Sequence, residues 1–283
     1  MADTSTTTTG VGGFLPEDYA QLVMRPVFAE GIAYQASTIL RTDSHEVHFP
    51  IIDTDPAAGW TPEGTEISVA DPTYAEVVAT PAKVAAIHTI TNEMVFDSNP
   101  AALGVAGASL KRSLINSIDG AFFAATTPTN APDGLGALEG VQEISGELTS
   151  LDPFAEAITQ VEGAGGIVTS FVLSRADLLT LLKLKDQADS NRILLGIDAN
   201  QPTRRTALGV PVLATPALAT GTAYAISRAD TFVVTRNDAT VEADRSVKFT
   251  SDQTVLRAIA RVAFAFPAPA RIARITFTTE PEA

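Results

Sequence analysis

Apolar and polar positions along this chain follow two periods. From Glu46 to Ile52 the residues Val47, Phe49 and Ile51 alternate with Glu46, His48 and Pro50, which predicts a strand, and Tyr74 to Ile90 reads as a longer returning one. Between them Asp53 to Pro72 is a turn-rich tip, with Pro56, Gly59, Pro62, Gly64, Pro72 and the only tryptophan, Trp60. Arms of about ten or more residues at ~3.3 Å each carry such a tip on the order of 35–50 Å outward. A lone two-stranded ribbon is marginal in water, so this one is expected to lie on another subunit, with Trp60 as an anchor.

The helical period appears next. From Pro100 to Ala125, with Asn99 as N-cap, Leu103, Ala106, Leu110, Leu114, Ile118 and Phe122 form one stripe, and Lys111, Arg112, Asn116 and Asp119 are placed on the other side. Gly104 and Gly107 weaken the first turns. At 1.5 Å per residue this helix spans roughly 40 Å, the spine of a flat domain. Upstream, residues 1–13 are a Thr- and Gly-rich arm with little to bury. A short helix follows, with Pro16 in its first turn, Glu17 and Asp18 near its N-terminus, and Tyr19, Leu22 and Val23 on one face before Pro26.

Beyond a Pro- and Gly-rich loop, Thr127 to Gly136, helices and strands alternate: helix Pro153–Glu162, strand Ile167–Leu173, helix Arg175–Lys185, then strands Val210–Ala214, Ala223–Ile226 and Phe232–Thr235. This is an α/β segment over about 146–243. Thr254 to Phe266 fits a helix as well as a strand; the alternation of Leu256, Ala258, Ala260, Val262 and Phe264 favours a strand, and a second, Arg271–Phe277, follows the Pro267–Pro269 bend.

Composition narrows the function. Of the 283 residues 45% are hydrophobic and 18% charged, enough for a sizeable core and too apolar for wholesale disorder. A net charge of −14 repels phosphate, which disfavours direct DNA recognition. With no cysteine there is neither a disulfide framework nor a thiolate site. The first thirteen residues lack the basic start and apolar run of a secretory signal, and the apolar stretch Val255–Ile275 is interrupted by four arginines and two prolines, so no membrane span is expected.

Candidate chemistry is sparse. No Gly-x-Ser-x-Gly nucleophile turn occurs. His45 and His48 are three apart on the first strand, hence on opposite faces, and read as solvated or cross-strand polar residues; His88 reads as a packed or pairing residue. Gly163-Ala-Gly-Gly follows a helix and precedes a strand, the reverse of a phosphate loop. The pairs Asp53/Asp55 and Glu63/Glu66 lack the ligand density of a calcium loop. Arg204-Arg205 and the arginines at 257, 261, 271 and 274 could serve an anionic ligand; in so acidic a chain they are taken as partners for carboxylates on neighbouring subunits. No enzyme activity, cofactor or metal is expected.

The run Ala58-Gly-Trp-Thr-Pro-Glu-Gly-Thr-Glu-Ile67, then Asp71-Pro-Thr-Tyr74, then Thr91-Asn-Glu-Met94 with Asp97-Ser98, resembles the extended loop and its exit in major capsid proteins of tailed bacteriophages with the Hong Kong 97 fold. Asp119-Gly-Ala-Phe-Phe123 with Pro132-Asp-Gly-Leu135 is similar to the end of that family's spine helix and the loop after it, and Asp252-Gln253 before Leu256-Arg257 to its late long strand. The likeness covers about residues 14–278.

The resemblance implies an α+β capsid fold: an N-terminal arm and short helix (1–42), an extended hairpin loop (43–92), a peripheral domain with the spine helix (93–145 and 244–283) and an α/β axial domain (146–243). It implies a major head protein that self-assembles into hexamers and pentamers of an icosahedral shell around double-stranded DNA, without sequence-specific binding and without membrane contact. The shell would be built in the host bacterial cytoplasm and become part of the virion. The alternative is the shell of an encapsulin-like bacterial compartment. Contact candidates between subunits are Trp60, Pro62, Glu63, Glu66, Ile67, Tyr74, Arg112, Arg257 and Arg261. Implied partners are a portal, a decoration protein, and a separate scaffolding protein or none, since only a short arm precedes Phe14. Some family members crosslink through a lysine in the extended loop; here no lysine lies between Glu46 and Ala82, and Lys83 stands at the base, so non-covalent assembly is expected.

Overall fold

The computed structural model describes residues 27–54, 59–64, 73–93, 101–126, 129–185, 195–197, 205–236 and 240–278. The arm, the short helix ending at Pro26, and the Asn99-Pro100 cap lie outside these. A short helix α1 (Ile32–Ala36) leads into β1 (Thr38–Thr42), the hairpin strands β2 (Val47–Thr54) and β3 (Thr73–Ala79), and then β4 (Ala82–Thr91). The spine helix α2 (Ala101–Phe122) precedes β5 (Gln142–Gly146), α3 (Asp152–Gly163), β6 (Ser170–Ser174) and α4 (Arg175–Lys183). The short strands β7 (Gly196–Ile197) and β8 (Arg205–Ala207) are followed by β9 (Val210–Thr215), β10 (Thr222–Ile226), β11 (Phe232–Arg236), β12 (Thr240–Lys248), β13 (Gln253–Ala265) and β14 (Ala273–Phe277).

The described strands form three sheets. Thirteen-residue β13 is the axis of the first: β4 lies along one side of it, while β12 and then β11 lie along the other, with β1 outside β11. Alternation along β13 decides its faces. Leu256, Ala258, Ala260, Val262 and Phe264 are buried against α2, whose Ala106, Leu110, Leu114, Ile118 and Phe122 supply the facing stripe. Phe122 meets Phe264 edge to face at 5.0 Å. The second sheet runs β5-β14-β10-β6-β9-β8-β7 and packs on α3 and α4, with Phe154 edge to face on Phe171 at 4.9 Å. The third is the β2–β3 hairpin.

Several expectations need correction. The single strand expected over Tyr74–Ile90 is two, broken at Thr80-Pro81: Pro81 has no N–H for a ladder, and there the chain leaves β2 for β13. The spine helix stops at Phe122 rather than Ala125, giving 22 residues and about 33 Å. Asp119 is not on a solvated face; it is buried. Strand β6 begins at Ser170 rather than Ile167, and α4 ends at Lys183. Sheet membership cuts across the 146–243 segment, since β11 and β12 join the first sheet while β5 and β14 join the second.

At the far end of α3 the Gly163–Gly166 run is a helix stop. Gly165 takes φ +78°, its N–H reaches the Glu162 carbonyl at 2.9 Å, and the Gly166 N–H reaches Val161 at 2.9 Å.

Candidate assembly surface

The hairpin leaves the body on a small apolar base. Val47, Phe49, Val77 and Ala79 sit over Val234, Ala263 and Ala265, with the Phe49 and Phe232 rings 5.0 Å apart. These residues share one face of the ribbon because side chains two apart in a strand point the same way. Ile52 and Tyr74, paired across the strands, are exposed, Tyr74 at 74%.

At the tip Trp60 is 105% exposed, a whole indole in water, and Pro62 and Glu63 are exposed beside it. Of the other contact candidates, Glu66 and Ile67 lie outside the described residues. Arg112 is exposed on α2. Arg257 pairs with Glu242 of its own chain across β12 and β13, and Arg261 stands opposite Lys83 across β13 and β4.

Two more of the late arginines, assigned from sequence to neighbouring subunits, have partners at home. Arg271 binds Asp230 at 2.9 Å, and Arg274 binds Glu143 at 2.8 Å while reaching the carbonyls of Leu135 and Gly136. Arg274 ties the loop at Leu135–Gly136 to the second sheet, and Arg271 joins the turn before β14 to the turn after β10. Arg204 lies outside the described residues.

The histidines are dispersed. His45 lies in the bend before β2, not on the strand as expected, and His48 faces Glu76 on the opposite strand at 3.3 Å through Nδ1. His88 pairs in the ladder with Leu256. Among the described residues no three histidines or carboxylates converge to hold a metal ion, and no helix is long and apolar enough to cross a membrane.

One carboxylate organises the entry to the body. Asp119, late in the spine helix, accepts from the Ile32 N–H at 3.1 Å and the Ala33 N–H at 2.9 Å, so it caps α1 from 86 residues away. Burial pushes its carboxyl above the ordinary value, against the two N–H donors, which pull it down. Tyr34 in the same helix is pushed up to about 12, again by burial, and its hydroxyl lies 3.3 Å from Thr235 Oγ1. An exposed ion pair, Lys111 to Glu30 at 2.9 Å, adds a second tie between the spine and this entry segment.

A spine helix along a long central strand, an outlying hairpin and a separate α/β sheet form the architecture expected from the sequence, and the family model of the phage capsid family matches residues 11–277. The chain belongs to the phage capsid family. A chain from Mycobacterium phage Adephagia superposes with a TM-score of 0.71 at 18% identity, covering 88% of this chain and 91% of that one. The capsid of an empty GTA particle gives 0.69 at 18% identity, covering 98% and 96%. A virus-like particle from Pyrococcus furiosus gives 0.59 at 10% identity, covering 91% and 98%. No curated protein matches. At such identities the likeness is one of fold, and the fold is the Hong Kong 97 capsid type. For a phage capsid protein the working surface is the one that meets further copies of itself, and the exposed tip of the hairpin is where this chain spends its only tryptophan.

Proposed function

We propose that this capsid protein is the repeating subunit of an icosahedral phage head, tiling as hexamers and pentamers around double-stranded DNA, with each hairpin crossing onto an adjacent subunit. The observation that carries the reading is Trp60, fully exposed at the end of a ribbon whose own base buries only a small cluster. Burying an indole and a tyrosine on a neighbour removes apolar surface at about 25 cal/mol per Å², and the gain repeats at every subunit. A contact between two different patches closes into rings when the rotation between copies is right, which is how one chain forms five- and sixfold units.

In this reading the hairpin residues Trp60, Pro62, Glu63, Glu66, Ile67 and Tyr74 form one side of the contact, and Arg112, Arg257 and Arg261 belong to the receiving side. The segment around α2 and β13 is the peripheral domain, and the sheet centred on β10 and β6 is the axial domain. Assembly is non-covalent and uses either a separate scaffolding protein or none; a portal closes one vertex and a decoration protein covers the outside. The acidic charge keeps packaged DNA from adhering by counterion release.

Electron microscopy of the expressed chain, alone and with the product of its upstream neighbour gene, tests this. Uniform closed shells in either preparation support it. A stable monomer in both overturns it.

A further inference from the structure

Three segments meet at the edge of the first sheet: the end of α1, the start of β11, and the crossing that brings the chain there from β10 in the second sheet. Most polar groups at this joint are bonded to one another. Thr38 donates its N–H to the Thr231 carbonyl at 2.8 Å and its hydroxyl to the Arg228 carbonyl at 2.7 Å. Arg228 donates through Nε to the Ser37 carbonyl at 3.1 Å and through its backbone N–H to Thr169 Oγ1 at 3.0 Å. Ser227 Oγ donates to Asp230 at 2.6 Å, and Asp230 also accepts from Arg271, in the crossing from β13 to β14, at 2.9 Å.

Three hydroxyls are the exception. Ser37 and Thr231 are fully buried and Ser170 is 5% exposed, yet the hydroxyl oxygen of each has no hydrogen-bond partner among the described residues. All three lie on one side. Ser37 and Thr231 are in extended backbone, so Ser37 points with Ile39, Thr231 with Val233, and Ser170 with Val172, each towards the core under the spine helix. Ser37 and Thr231 stand opposite each other, one step before Thr38 and Phe232 open the parallel ladder. Neighbouring strands lie about 4.8 Å apart, too far for one hydroxyl to reach the other, and a span that one water crosses at about 2.8 Å from each.

We propose that this joint holds an ordered, buried water molecule that bridges Ser37 Oγ and Thr231 Oγ1 and takes Ser170 Oγ as its third partner. Three partners are the usual complement of a buried water. The water completes the hydrogen bonding where α1 and β1 join β11, and it ties that edge to the second sheet through Ser170. The site is independent of the head-shell reading.

A density map of the wild-type protein fine enough to show waters tests it directly, with a peak expected about 2.6–3.2 Å from both the Ser37 and the Thr231 hydroxyl oxygens. No peak there overturns the site. Melting of the full-length chain gives a second readout, whose sign decides. Thr231→Val is nearly isosteric and removes one partner of the water, so it should melt about 2–6 °C below the wild type. A valine variant that melts at or above the wild type would mean that the native hydroxyl is simply unbonded, and would overturn the site. Ser37→Ala should also lower melting, and the double variant should lose clearly less than the two singles together, because both act on one water. Fully additive losses overturn the shared water. Thr231→Ser keeps the hydroxyl without the methyl and should retain the coupling to Ser37→Ala, which separates loss of the water from loss of packing; a serine variant without that coupling counts against the site.

Discussion

Asp119 Oδ1 accepts the Ala33 N–H at 2.9 Å, joining the last turn of the spine helix to the first turn of α1. Gly31, the N-cap residue of α1, has no side chain to offer, so the cap comes from a distant carboxylate. Replacing Asp119 by alanine strands two N–H groups, the buried one of Ala33 and the part-buried one of Ile32, and should cost about 2–4 kcal/mol. Asp119→Asn keeps one acceptor and should cost less. Chemical denaturation of the three proteins checks the order.

The same residue gives a pH dependence of defined sign. Its folded pKa is raised from 3.8 by burial, so the folded chain holds the proton more tightly than the unfolded one. Its contribution is therefore most favourable below about pH 4, falls as the pH rises through the raised value, and is constant above it. The stability difference between wild type and Asp119→Asn should shrink as pH is raised across that window. A difference that grows would mean that the two N–H donors outweigh burial.

Gly134 makes the second structural prediction. A Cβ there would lie 2.2 Å from the Ala121 carbonyl oxygen and 2.7 Å from that of Phe122, both backbone atoms at the end of the spine helix. Gly134→Ala should therefore lose about 1–3 kcal/mol or more. Gly163→Ala is the control: it sits at the last position of α3 with no heavy atom within 4 Å of the new carbon and should be neutral or stabilising by up to about 1 kcal/mol. Thermal melts of the two variants compare them directly.

Legibility in the sequence followed how local each determinant is. The stripe of α2 and the alternation of β13 could be read because each spans many residues at one period, and both are buried as the pattern requires. Asp119 could not. It is one residue from Ile118 and three from Phe122, on the border of the stripe, and only the arrival of α1 there decides that it is buried. The break at Thr80-Pro81 keeps the chain extended and changes only its partner, so Pro81 was the one cue. Short β1 and β5 carry too few alternating positions to stand out, and which sheet β11 or β14 joins depends on pairing with distant segments. The exposure of Trp60 and Tyr74 was legible, because each aromatic sits on a turn-rich or outlying segment. Ile87 was missed, because its exposure depends on where the hairpin base ends.

The absence of lysine between Glu46 and Ala82 bears on how shells hold together. Denaturing electrophoresis of mature particles should give one band at 29.6 kDa. A ladder of multimers would show a covalent link between subunits.

Trp60 is the only tryptophan in the chain and stands in water in the single subunit, so its fluorescence reports the hairpin alone. On assembly from dissociated subunits its emission should move to shorter wavelength and its quenching by iodide should fall, because the indole becomes buried on a neighbouring copy. Emission and quenching that stay those of an exposed indole in closed shells, or that are already those of a buried one in the isolated subunit, would contradict the account.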